Sequence, residues 1–303
     1  MKFIITPVPQ YDFDLSARIF RDGDEQIRNY ENGRYQQVIK VENKLVLVTI
    51  KPSGNVDAPR LQVELKSNQK ISVTDRQKAE KIIATSLNLG LDLESFYKDV
   101  KNDRVMADIA AKLRGLKSPT TPTVFESLVS SIIEQQISLR VAHSMESKVV
   151  KSFGDTLTLN GLVYYAFPTP ERMASVTTEQ LRQCGLSSKK AEYIIDVAKS
   201  IAEGNLDLEG LKDFVDTSAV IDRLLKIRGI GIWTAEMTVL RGMHRLGEMP
   251  ADDIGLRKCI AHYYSKDRSL SADEARRIAK KWGKWQGLAG FYLMIAWHLG
   301  IEA

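Results

Sequence analysis

The stretches LLKIRGIGIWTAEMTVLRGM, Leu224 to Met243, and EMPADDIGLRK, Glu248 to Lys258, decide how the whole chain reads. Val220, Ile221, Leu224 and Leu225 form an apolar stripe at helical spacing, with Thr217 or Ser218 placed to cap it. Gly229 and Gly231 break that helix, and a second starts near Ile232, runs through Ala235, Val239 and Leu240, and ends by Gly242. The hairpin so defined spans 224–240. Its turn, Arg228-Gly229-Ile230-Gly231, contains two residues without a β-carbon, which permit positive φ and let another backbone come close. Ile230 is the natural plug into the core. The second helix opens with free N–H groups and the positive end of its dipole, so a nucleic-acid phosphate can dock there without any base being read. Taken alone, the two glycines are equally a tight turn between helices and nothing more.

The acidic doublet Asp252-Asp253 precedes another apolar run. Asp252 is expected to cap the helix that follows, and Asp253 to lie in its first turn, where the dipole favours the ionised form. A fixed carboxylate facing a groove that holds a sugar suits glycosidic cleavage, because the sugar carbon becomes cationic in an oxocarbenium-like transition state.

Helix, LLKIRGIGIWTA, helix and then PADDIGL resembles the helix-hairpin-helix DNA glycosylase superfamily, and within it looks most like the DNA-3-methyladenine glycosylase II family. YDFDL at Tyr11 to Leu15, FESLVSSIIEQQIS at Phe125 to Ser138, FPTPERMASVTTEQLRQCGLSSKKAEYI at Phe167 to Ile194 and WGKW at Trp282 to Trp285 match in the same order. The resemblance covers nearly the whole chain. It implies that Asp253 is the catalytic carboxylate and that Gly229 and Gly231 are the hairpin glycines. A lysine two residues after the second glycine marks the branch with lyase activity; here that position is Trp233, and the nearest lysine, Lys226, precedes the turn. The implied enzyme is therefore a monofunctional glycosylase that uses water and leaves an abasic site.

Trp233 offers an indole face for an extruded base, or is a core residue under the hairpin. The loop after the helix that begins near Val124 is implied to enter the duplex, which makes Gln136 the wedge candidate; a glutamine pair ending an amphipathic helix is otherwise ordinary surface. Two departures bear on the base pocket. Met237 stands where close relatives of the family carry an aromatic residue, and the C-terminal stacking tryptophan aligns with Met294, with Trp297 one turn further on. Phe291, Tyr292 and Trp297 also read as a packed C-terminal helix. Candidate phosphate contacts are Arg228, Lys189, Lys190, Arg257 and Lys258, each equally a solvated charge.

In 303 residues, 43 Lys and Arg stand against 38 Asp and Glu, a formal charge of +5, which suits a polyanionic partner without demanding one. Acidic runs such as Asp22 to Glu25 interrupt it. Two isolated cysteines, Cys184 and Cys259, exclude a four-cysteine iron–sulfur cluster and give no zinc site. No cofactor and no metal are expected. The N-terminus lacks a secretory pattern and no stretch reaches transmembrane length. The expected setting is cytoplasmic, nucleoid-associated if bacterial, with damaged double-stranded DNA as partner, no membrane, and no need for more than a monomer.

Gln36 to Val41, Leu45 to Ile50 and Arg60 to Leu65 read as short strands, and the strand pattern stops at Asp75. Thr74 with Gln77, Thr123 with Glu126, Thr177 with Gln180 and Ser271 with Glu274 read as capping boxes, and Gly90, Gly185 and Gly283 as helix stops. The expected fold is an α+β N-terminal domain with a small antiparallel sheet over 1–90, followed by an all-α helix-hairpin-helix glycosylase domain of two helical bundles over 91–303. The resemblance places Asp253 and the extruded base in the cleft between the bundles. The competing readings are an 8-oxoguanine glycosylase with lyase activity, disfavoured by Trp233, and a non-catalytic hairpin protein that only holds DNA, disfavoured by Asp253.

Overall fold

The computed structural model describes residues 1–21 and 23–303; Asp22, in the acidic run noted above, lies outside them. Five antiparallel strands, β1 (Lys2–Ile5), β2 (Arg28–Glu31), β3 (Arg34–Val41), β4 (Lys44–Pro52) and β5 (Leu61–Lys66), pair in the order β1-β5-β4-β3-β2. The three expected strands are its centre; β1 and β2 are edges too short to show a pattern. Alternation in β5 turns Leu61, Val63 and Leu65 into a core shared with Phe13 and Ala17 of α1 (Phe13–Ala17) and Ala79 and Ile83 of α2 (Val73–Ser86).

The helical region forms two cores. The first joins α5 (Val124–Glu134), α6 (Leu139–Phe153), α7 (Pro170–Ala174), α8 (Thr178–Gln183), α9 (Ser188–Ala202), α10 (Thr217–Leu224) and α11 (Ile232–Met243). The second joins α3 (Leu93–Val100), α4 (Arg104–Lys112), α12 (Ile254–Ser265), α13 (Ala272–Ala279) and α14 (Gln286–His298). Residues 244–253 carry the chain from the first bundle to the second.

Strand pairing does not stop at Asp75. β6 (Thr156–Leu159) and β7 (Leu162–Tyr165) form a hairpin inside the helical region, turned by Asn160 and Gly161 at φ 50° and 79°. Leu157 and Ala166 from this hairpin pack on Val38 and Leu47, covering the second face of the N-terminal sheet. Gln26 adds hydrogen bonds to Tyr165 N and Val163 O.

The caps at Thr177 and Ser271 are full boxes. Elsewhere the helices start a residue or two away from expectation: Ser72 with Asp75, not Thr74 with Gln77, forms the box of α2, and Asp216, not Thr217 or Ser218, caps α10. Thr123 caps α5 through Glu126 N, but the Glu126 carboxylate lies 3.5 Å from Arg28 of the sheet. That helix therefore has half a box, and the other half ties the two regions together. α2 ends at Ser86, ahead of Gly90.

Candidate active site

α10 and α11 meet at Gly229 and Gly231 for two different reasons. Gly229 sits at φ +85°, and a Cβ there would lie 2.2 Å from the Tyr193 ring, so both conformation and contact require its absence. Gly231 has ordinary extended backbone and open space around it. It is the N-cap of α11 and offers no side-chain cap, leaving the first amides of that helix free to meet an anion. Ile230, 6% exposed, plugs the first core as expected.

Asp253 is itself the N-cap of α12. Its Oδ1 accepts from Leu256 N at 2.8 Å and its Oδ2 from the indole Nε1 of Trp233 at 3.1 Å. The expectation that Asp252 caps and Asp253 lies in the first turn is corrected. The helix begins one residue later, and Asp252 instead accepts from Arg276 at 2.7 Å. Arg276 also reaches Glu236 of α11 at 3.1 Å. Burial pushes the Glu236 carboxyl up to about 7 against the pull of Arg276. The loop that presents Asp253 is thus fastened from α11 and α13, and the carboxylate is held by a backbone amide and an indole.

A cleft of about 2650 Å³ runs between the bundles and along the N-terminal sheet. Asp253, Trp233, Met237, Met294, Trp297, Gln136 and Lys258 all line it. Trp233 is half-buried, joined to the carboxylate by its edge. Met237, one turn on along the same helix face, is 6% exposed and forms part of the wall. Met294 and Trp297, 36% and 46% exposed, both open to the cleft. Trp297 stacks edge-on to His262 at 4.7 Å. Tyr292, by contrast, is a core residue that donates to Leu116 O, as expected for a packed C-terminal helix.

The candidate phosphate contacts divide. Lys189 and Lys258 are exposed. Arg228 is engaged by Glu192 at 2.7 Å and Asp196 at 3.0 Å, and lies over the Tyr193 ring, so it does not stand free on the hairpin. Arg257 donates to Ala251 O at 3.1 Å. Lys190 turns its ammonium inward, to Ile133 O at 2.8 Å and Gln135 O at 2.6 Å. Arg228 and Lys190 thus have partners distant in sequence that a local reading cannot supply, whereas Arg257 bonds a carbonyl six residues back.

Gln136 is exposed at φ +56°, in the left-handed region, on the loop between α5 and α6. Gln135 is turned the other way, its Nε2 donating to Gly229 O at 3.1 Å and Thr234 Oγ1 at 3.0 Å. Sequence reasoning missed Glu134 and Arg241, whose side chains meet at 2.8 Å in the cleft wall. The spacing Trp233, Met237, Arg241 on one face of α11 was the available signal.

A capped, fixed carboxylate above an apolar, aromatic-edged cleft, beside a helix terminus fit for a phosphate, defines an enzyme that acts at the sugar of a nucleic acid. The comparisons agree. The model of the HhH-GPD superfamily base excision DNA repair proteins matches residues 129–284. A DNA-3-methyladenine glycosylase of Bacillus subtilis (strain 168) is 32% identical over 296 residues, 96% of this chain and 95% of that one. Among solved structures, a 3-methyladenine DNA-glycosylase from Archaeoglobus fulgidus superposes with a TM-score of 0.87 at 27% identity, covering 98% of each chain. MBOgg1 in complex with a low-affinity DNA ligand superposes at 0.80 with 25% identity, over 99% of this chain and 96% of that one. The chain belongs to the HhH-GPD superfamily of base excision DNA repair proteins, and it is a DNA glycosylase.

Proposed function

We propose that this glycosylase hydrolyses the N-glycosidic bond of alkylated purines, 3-methyladenine and related bases, in double-stranded DNA and leaves an abasic site. The observation that carries this is Asp253, held by Leu256 N and Trp233 Nε1 at the mouth of the inter-bundle cleft with no lysine at position 233. The free amides at Gly231 receive a backbone phosphate, with Lys189 and Lys258 beside the path of the strand. Gln136 fills the gap in the stack, and the base enters between Trp233, Met237, Met294 and Trp297. Extrusion costs roughly a few kcal/mol, least for lesions that pair or stack poorly.

An N3- or N7-alkylated purine carries positive charge, so the electrons of the breaking C1′–N bond neutralise the leaving base and no strong general acid is required. Asp253 stabilises the sugar cation left behind. Water adds its oxygen to C1′ and gives its proton to the carboxylate or to solvent. The protein acts as a monomer, with a sheet domain over 1–90 and a glycosylase domain over 91–303, a division that the separate cores of these regions favour.

The test is chromatography of bases freed from methylated duplex DNA, with borohydride trapping on an 8-oxoguanine duplex in parallel. Free 3-methyladenine without a trapped adduct is expected. A trapped adduct with no methylated base released would mean that a lysine outside the motif attacks the sugar, and would overturn the monofunctional reading.

A further inference from the structure

α5 ends against the start of α9. The last carbonyls of a helix have no partner within it and carry the negative end of its dipole. Lys190 lies in the first turn of α9, an unfavourable place for a cation with respect to its own helix. Its ammonium leaves that end and spans Ile133 O and Gln135 O at the end of α5, within 2.8 Å of each. From the other side, Gln135 ties the same loop to Gly229 O and Thr234 Oγ1 in the hairpin. Gln136, directly after the doubly anchored Gln135, takes a left-handed conformation that a non-glycine residue adopts only where its surroundings impose it.

We infer that Lys190 and Gln135 are positioning residues that hold Gln136 in its penetrating conformation before DNA arrives, and that Lys190 contacts no phosphate. This rests on Gln136 being the wedge. The loop is thereby coupled to the hairpin: Gly229 lies two residues from the amides that receive the phosphate, so grip and penetration share one rigid body. The Lys190 ammonium contacts only Ile133 O and Gln135 O, neither in the hairpin nor at Asp253, so its loss is expected to free the loop alone.

The experiment is single-turnover base release from a duplex with one 7-methylguanine, either paired with cytosine or placed opposite an abasic gap, where no partner base must be displaced. Lys190→Met is expected to slow release from the paired duplex by about 10- to 100-fold, as a displaced positioning contact does, and to leave the gapped duplex within about threefold. Lys190→Arg, which can still donate to both carbonyls, recovers most of the loss. Gln135→Leu reproduces the selective loss and serves if Lys190→Met does not fold. Binding of undamaged duplex across a salt series is expected to keep its slope in Lys190→Met. A slope smaller by about 0.9, with both substrates slowed equally, would identify a phosphate contact and overturn the inference. A wild-type rate for Lys190→Met on the paired duplex, with Gln136→Ala slow, would show that the loop stands without its anchor. If Gln136→Ala itself is as fast as wild type on the paired duplex, the wedge reading falls first and the inference with it.

Discussion

At the head of α12, Asp253 caps the helix with one oxygen and accepts from the Trp233 indole with the other, so its structural role and the catalytic role proposed for its charge can be tested apart. Two substitutions separate these roles. Asp253→Asn keeps a good capping side chain but not the charge, so it is expected to melt close to wild type while base release falls at least about 100-fold, the order of effect seen when a transition-state stabiliser is removed. Asp253→Ala loses both, adding about 1 kcal/mol of destabilisation. Retained activity in Asp253→Asn would remove the aspartate from the mechanism. Glu236, buried behind the Asp253 loop, makes the pH prediction. Its carboxyl titrates near 7 in the folded chain against about 4.3 unfolded, so the folded state holds the extra proton between those values. The stability this confers is complete below about 4.3 and is lost as pH rises through 7. Glu236→Gln stays neutral throughout. Relative to wild type it is expected to gain about 1–3 kcal/mol between pH 5 and pH 8, read by urea unfolding at both; a pH-independent difference would place the titration elsewhere.

The hairpin glycines make the prediction at the scale of elements. Gly229→Ala meets the Tyr193 ring and a φ of +85°, so it is expected to destabilise the protein by about 1–3 kcal/mol or more. Gly231→Ala meets nothing, so it is expected to fold as wild type while a duplex binds more weakly, because a methyl then stands on the approach proposed for the phosphate. Thermal melts paired with DNA titration distinguish the two. These elements were legible because their determinants are local. The turn needs the glycine at 229, and the PADD doublet announces a helix start. The choice between neighbouring caps was not legible, since it depends on helix phase: Asp253 rather than Asp252, Asp216 rather than Thr217, Ser72 rather than Thr74. The β6–β7 hairpin carried the strongest short-range signal, Asn160-Gly161 between alternating residues, but it sits among helices. The destinations of Lys190 and Arg228 were out of reach for another reason. Their partners lie 32 to 57 residues away in sequence, and only tertiary packing brings them near.

Across the whole molecule, the sheet region is bound into the glycosylase by Leu157 and Ala166 against Val38 and Leu47, by Arg28 against Glu126, and by Lys117, a fully buried lysine donating to Val8 O and Leu89 O. Leu157→Ala is expected to cost about 2–5 kcal/mol, as a fully buried leucine does. It should also shift sheet and helix signals together in one circular-dichroism transition. Two separate transitions would show that the regions fold independently. The cleft depends on this union, because its walls include the sheet as well as both bundles.

α11 carries uncapped amides at its first turn, the Trp233 donor to Asp253 at its second residue and the Met237 wall one turn later. From Gly231 to Met237 that is about 9 Å of helix at 1.5 Å per residue. Under the proposed function the helix works as a caliper: one jaw closes on the strand, the other on whatever base swings in, and the span between them cannot stretch. An instrument of fixed gauge is indifferent to sequence and to the exact outline of the damage. On the proposed mechanism it would admit any base loose enough to arrive at the right distance, and one carboxylate at Asp253 would then serve a whole class of lesions.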